Sequence, residues 1–287
     1  MKLKDLIIKA NKNFEVIWHF NVSEFSMIKA IFDAAYELKR PIIIGVSEGE
    51  RKFFGTKQIK AIIESFKNKY NFPIFLNADH CHSFDSVKEA IDSGFDAVIF
   101  DGTTLSFEEN ISQTRQVVEY ARSKNPDILI EAELGYIGKH SGILHKLPEG
   151  VNLDKKNFTT PEQALKFINQ TGIDLFSPFV GNIHGIILNN DKVLNSAIDI
   201  EQIEKIKNLT NFPLVLHGGS GILEQNFILA VKAGINIIHI STELRLTWFN
   251  SLKKFIENNP NEITPYKVLN SSYENVYQVV LKYLKLI

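Results

Sequence analysis

The chain has a single cysteine, Cys81, so no disulfide can form within it, and a disulfide-held secreted scaffold is excluded. Charge of one sign is also missing. Thirty-two basic residues face 33 acidic ones, for a net charge of −1, and no basic block stands out. That balance argues against nucleic acid or a membrane surface as the partner and points to a small molecule. No apolar run approaches the length of a membrane span, and the opening MKLKDLIIKANKNFE breaks its apolar residues with charges where a signal peptide would have none. The expectation is a cytoplasmic protein. Internal repeats, low-complexity runs and linkers are absent as well, so residues 1–287 read as one domain.

What is present is enough apolar material for a large core, 44% of 287 residues, arranged in a rhythm. Short apolar runs occur at 16–22, 41–47, 73–79, 97–102, 128–135, 175–181, 213–219 and 235–241. Between them lie amphipathic stretches such as SMIKAIFDAAYELKR, TKQIKAIIESFKNKY, FEENISQTRQVVEYARSK, TPEQALKFINQTG and DIEQIEKIKNLT. Eight strands alternating with helices predict an α/β fold of the (β/α)8 or TIM-barrel type, with its site at the carboxyl ends of the strands. A doubly wound sheet is the alternative, but no Gly-rich phosphate turn follows the first strand. Residues 2–11 have the spacing of a helix that closes the barrel bottom. Residues 138–159 form a long polar loop of the kind that serves as a lid. Beyond Trp248, further helical patterns are too apolar for a solvated tail and must pack on a neighbouring surface, of the same subunit or another.

Chemistry gathers where strands end. The run PIFLNADHCH, 73–82, reads as a buried strand that breaks into Asn77, Asp79, His80 and His82. Asp79 could merely cap the next helix. Against that stands repetition, because polar and ionisable residues recur at Asn21, Ser47, Asp101, Glu131, Glu133, His184, His217, His239 and Thr242. Three imidazoles, His80, His184 and His217, with an open fourth position would make a catalytic zinc site. Cys81, beside them, reads as a small buried thiol rather than a ligand or nucleophile. The turn Gly218-Gly219-Ser220-Gly221 and the pair Ser241-Thr242 follow the last two strands, where barrels hold a phosphate; a plain tight turn is the alternative.

With these segments assembled, the chain resembles the class II, metal-dependent ketose-bisphosphate aldolases. The resemblance covers nearly the whole length: HFN at 19–21, GVSEG at 45–49, NADH at 77–80, EAELG at 131–135, TTPEQA at 159–164, VGNIHG at 180–185, LHGGSG at 216–221 and STEL at 241–244. It implies that His80, His184 and His217 bind a catalytic Zn2+, that Asp79 is the proton donor, and that Asp101 and Glu133 hold a second divalent metal. It also implies ketose-phosphate contacts at Ser47, Gly185, Gly218, Gly219, Ser220, His239, Ser241 and Thr242, with a monovalent cation near Gly185 and Ser220. The implied reaction is reversible cleavage of a ketose 1,6-bisphosphate, of fructose or tagatose type; separately, the apolar tail favours a homodimer or homotetramer. Two departures stand out. His239 replaces the family's Asn, and GKHSG at 138–142 replaces its acidic lid run, leaving the lid acid without a counterpart. An aldolase-like isomerase or epimerase, or a metal-retaining pseudoenzyme that binds a sugar phosphate, are the alternative outcomes.

Overall fold

The computed structural model describes residues 1–138, 141–189, 192–194 and 197–287. Eight parallel strands close into a barrel: Ile17–Asn21, Ile42–Val46, Ile74–Cys81, Ala97–Phe100, Leu129–Leu134, Leu175–Pro178, Leu214–Leu216 and Ile235–Ile240. These are the eight apolar runs of the sequence. The first strand pairs in parallel with both the second and the eighth, which leaves no edge, and helices cover the outside as a TIM barrel requires. Helices outside the quoted amphipathic stretches include Glu48–Phe54, Phe84–Asp92 and Glu224–Ala233.

Side chains alternate across a strand, so every second residue enters the barrel. Ile17, Ile43, Phe75, Ala97, Leu129, Leu175, Val215 and Ile237, one from each strand, form an apolar bottom layer. Leu3, Ile7 and Ala10 of the helix Leu3–Asn13 seal it from below, as the helical spacing of the amino terminus predicts. Two residues further along, six of the eight strands turn polar: His19, Asn77, Glu131, Ser177, His217 and His239 are all buried. Two more residues reach the rim, with Asn21, Ser47, Asp79, Asp101, Glu133 and Ser241. Sequence parity thus sets the depth at which each group stands.

The third strand runs two residues past its predicted end. Ala78 pairs with Val98 and Cys81 with Phe100, so one extra residue is accommodated in a bulge. His80 lies in that bulge with φ +48, a left-handed conformation that non-glycine residues seldom adopt. The bulge breaks the alternation and lets both Asp79 and His80 face the barrel mouth.

The segment after the fifth strand is not a free flap. Its Ile143–Leu144 pairs in parallel with Ile186–Asn189, which turns back against Lys192–Leu194. The amide N–H of Ile186 donates to Gly142 O at 2.9 Å, and Arg245 donates to Ser141 O at 3.0 Å. Lys139 and His140 of the GKHSG run lie outside the described residues. The apolar tail packs on its own chain: the helix Pro265–Leu286 lies against Phe25–Leu38 and Thr242–Asn258.

Candidate active site

At the exit of the third strand, Asp79 is buried and does not cap the following helix; Ser83 does so, accepting from Ser86 N. Asp79 is instead held by Asn21, whose Nδ2 donates to Oδ2 at 2.7 Å, while Oδ1 has no hydrogen-bond partner. Burial would raise its pKa. The neighbouring His80 and His239 more than offset that and hold the carboxyl well below its usual range, so Asp79 is ionised.

The three histidines converge, with ligand atoms within 4.8 Å of one another. Two of them have one nitrogen engaged from behind, and the third has carboxylates near its far side. His184 Nδ1 sits 2.7 Å from Gly138 O, and His217 Nε2 sits 2.6 Å from Glu131 Oε1. His80 Nδ1 lies 2.8 Å from Glu133 Oε1 and 3.4 Å from Asp101 Oδ2. The opposite nitrogens face inward, with His80 Nε2 3.2 Å from His217 Nδ1. Two imidazole nitrogens this close, with carboxylates on the far sides of both rings, suit a divalent cation and its supporting acceptors. Burial pushes His184 down to about 4, reinforced by His80 and His217, and keeps it a neutral donor of electrons. Glu133 and Asp79, against the effect of burial, raise His80 well above its ordinary value in the absence of a cation.

His80, Asp101 and Glu133 form a second cluster of donor atoms within 4.8 Å of one another. Neither carboxylate is in line for a hydrogen bond to His80, and Glu133 Oε1 is buried without a partner, so this set also suits a cation. Asp101 spends its other oxygen on Thr103, accepting from the backbone N–H at 3.0 Å and from the hydroxyl at 2.6 Å.

The glycine turn lies directly beside this cluster. Gly218 has φ +65, and a Cβ there would sit 2.0 Å from Ile183 O, so only glycine lets the two loops meet. Ser220 Oγ accepts from the backbone N–H of Ser241 at 3.2 Å and of Glu243 at 3.1 Å, tying the turn to the start of the helix Thr242–Asn258. Ser241 Oγ is buried without a partner. Gly185, Gly218, Gly219, Ser220, His239, Ser241 and Thr242 all border one inner recess of about 20 Å³. Ser47 stands apart, on an outer cleft of about 290 Å³ shared with Glu48, His82, Asp101 and Arg245. It also caps the helix Glu48–Phe54 through a capping box with Glu50.

Sequence reasoning quoted His19 and Gly45 only within motifs, left both of them, Asn21 and Glu131 without roles, and passed over Arg245. Strand parity was the available signal for His19, since it shares a face with Ile17 and Asn21. Arg245 sits one helical turn past Ser241, within reach of the same mouth, and pairs with Glu50 at 2.6 Å.

A closed barrel with convergent imidazoles, flanking carboxylates and a glycine turn at its carboxyl-terminal rim is the layout of a metal-assisted barrel enzyme. The family model for class-II fructose-bisphosphate aldolase matches residues 1–287. A fructose-bisphosphate aldolase of Geobacillus stearothermophilus is 30% identical over 286 residues, covering 98% of this chain and 94% of that protein. The YdjI aldolase of Escherichia coli K12 superposes with a TM-score of 0.81 at 25% identity, over 99% of this chain and 96% of that one. A Campylobacter jejuni fructose-bisphosphate aldolase, at 19% identity, shares the fold with a TM-score of 0.83 over 99% and 93% of the two chains. The chain belongs to the class-II fructose-bisphosphate aldolase family, metal-dependent carbon–carbon lyases that act on phosphorylated sugars. Among the described residues no helix is long and apolar enough to cross a membrane.

Proposed function

We propose that this protein is a zinc-dependent ketose-bisphosphate aldolase, cleaving a ketose 1,6-bisphosphate of the fructose or tagatose type to dihydroxyacetone phosphate and an aldehyde, reversibly. The observation that carries this reading is the back-side engagement of His184 and His217, which leaves their other nitrogens free beside that of His80. Three imidazoles suit zinc. When bound, the cation polarises the ketone carbonyl and stabilises the charge that develops there.

The chain's own groups supply the rest. As the C3–C4 bond breaks, its electron pair stays with the ketone fragment, and the C4 hydroxyl proton passes to Asp79. Oδ1 is the proton-accepting atom, because Asn21 already holds Oδ2. In condensation the same oxygen returns the proton. Asp101 and Glu133, with His80 Nδ1, would take a second divalent ion. The glycine turn and the residues after the eighth strand would receive the ketose phosphate, with a monovalent cation near Gly185 and Ser220, and Ser47 and His239 would complete the contacts. The single cysteine, and that buried, favours a cytoplasmic setting, and the apolar side chains exposed at Phe53 and Phe249 favour a homodimer or homotetramer.

The test is exchange of the carbon-bound proton of dihydroxyacetone phosphate into heavy water, alongside cleavage of both bisphosphates, with chelator and with zinc restored. Zinc-dependent exchange together with an aldehyde product is expected, both lost in His184→Ala with the bound zinc. Exchange without any aldehyde would favour an isomerase or epimerase. Bound zinc and ketose phosphate with neither reaction would leave a sugar-phosphate sensor.

A further inference from the structure

Beneath Asp79 lie two buried imidazoles, His239, read above only as a substrate contact, and His19, which the mechanism does not use. His19 is fully buried and His239 is 5% exposed, and they stand opposite each other on the first and eighth strands. Their rings are parallel within 6°, with centroids 3.5 Å apart. His217, on the seventh strand, covers the other face of His239 at 4.0 Å. The His239 ring is therefore sandwiched. Its Nδ1 lies 3.5 Å from the partnerless Oδ1 of Asp79.

His19 has room for one reason. A Cβ built on Gly45 would lie 2.0 Å from His19 Cε1 and 2.5 Å from Nε2. Gly45 is mid-strand in Ile42–Val46, where the backbone asks nothing special of it. Space for the ring is what its missing side chain provides.

Resting on the aldolase reading, we infer that His19 is a positioning residue for the reaction: seated over Gly45, it stacks under His239 and fixes that ring so that Nδ1 faces the proton-carrying oxygen of Asp79. An imidazole has a broad, roughly two-fold torsion at χ2, and a flip would exchange Nδ1 for a carbon. Covering both faces hinders rotation between the two seatings, and only the one observed puts a ring nitrogen beside Asp79 Oδ1. His19, Asp79 and His239 also have donor atoms within 4.8 Å of one another, the composition of a two-histidine, one-carboxylate metal site. Rings stacked face to face cannot both direct an in-plane lone pair at one ion, so the arrangement fits a stack better than a ligand set.

The experiment uses the full-length, zinc-loaded protein with His19→Ala, His19→Phe, Gly45→Ala and the double variant Gly45→Ala/His19→Ala. His19→Ala is expected to lower kcat for cleavage about tenfold to a hundredfold, as for other groups that orient a reacting side chain, with KM and bound zinc unchanged. His19→Phe keeps a flat ring and should recover most of the loss. Gly45→Ala should be harmful alone and nearly neutral once His19 is alanine, a coupling that independent sites would not show. Histidine ring nitrogen spectra give a readout free of substrate: His239 should hold one tautomer, protonated on Nδ1, in the parent and His19→Phe, and a mixture in His19→Ala. Additive effects, an unchanged kcat in His19→Ala, or the loss of a bound metal equivalent in that variant would each overturn the inference. If the parent neither cleaves nor exchanges, the aldolase reading falls, while the nitrogen spectra still decide whether His19 orders His239.

Discussion

At the scale of single residues, the candidate site fixes two of its three histidines from behind. Glu131 is wholly buried, and its contact with His217 Nε2 at 2.6 Å determines which nitrogen of that ring is left for the cation. Glu131→Gln keeps the shape and removes the charge. It should weaken metal binding about tenfold to a hundredfold, with little change in fold, and a metal titration of the apoprotein checks this. Loss of activity with unchanged metal affinity would instead place Glu131 in the chemistry. The place of His80 at the mouth of the barrel was legible from its neighbours, yet its backbone was not. Nothing in Asp79-His80-Cys81 announces a positive φ, because the bulge is imposed by pairing with the fourth strand. His19 was missed for a similar reason: its partner His239 becomes a neighbour only when the first strand meets the eighth.

At the scale of elements, the alternation of apolar strand and amphipathic helix made the barrel readable, since period-two and helical spacings are local properties of the chain. The bottom plug was readable on the same ground. Ile7, 3% exposed, inserts among the inward residues of the strands, and Ile7→Ala should cost about 2–4 kcal/mol in urea unfolding. KM should not change, because the plug lies at the end of the barrel away from the site. Lys207 ties the same region together, reaching from the helix Ile200–Thr210 to Asn11, Phe212 O and Asn236. Burial pushes its pKa down to about 8. Between about pH 8 and 10.5 the unfolded chain then holds a proton that the folded chain has lost, so this lysine makes stability rise with pH across that window. Below it, the cost of burying the charge is present in full. The slope is at most about 1.4 kcal/mol per pH unit, and less where water screens the charge. Unfolding midpoints of the parent and Lys207→Met at pH 7.5 and 9.5 test it, with the parent gaining on the variant at the higher pH.

At the scale of the molecule, the last helix is what closes the structure. A barrel of eight strand-helix units still has a seam where the eighth meets the first, and the helix Pro265–Leu286 lies between the helices that follow those two strands. Its Val276, Val280, Leu281, Tyr283 and Leu284 are buried, and the Tyr283 ring packs on Trp18 of the first strand at 5.0 Å and on Phe227 at 5.8 Å. Tyr283 also hydrogen-bonds Glu243 in the first turn of the helix Thr242–Asn258, and Tyr273 reaches Asp33 at 2.7 Å, so the seam is pinned from both sides. Burying one such side chain is worth about 1.5–3 kcal/mol, and a whole protein of this kind is stable by only about 5–15 kcal/mol. A chain ending at residue 264 should therefore fail to fold, although it keeps every strand and every candidate site residue. Leu284→Ala gives the graded form of the test: about 2–5 kcal/mol lost in unfolding, with zinc content and KM unchanged in the folded fraction. A truncated chain that stayed folded and bound zinc would mean that strand pairing alone closes the barrel, and that the tail is an addition to a finished fold.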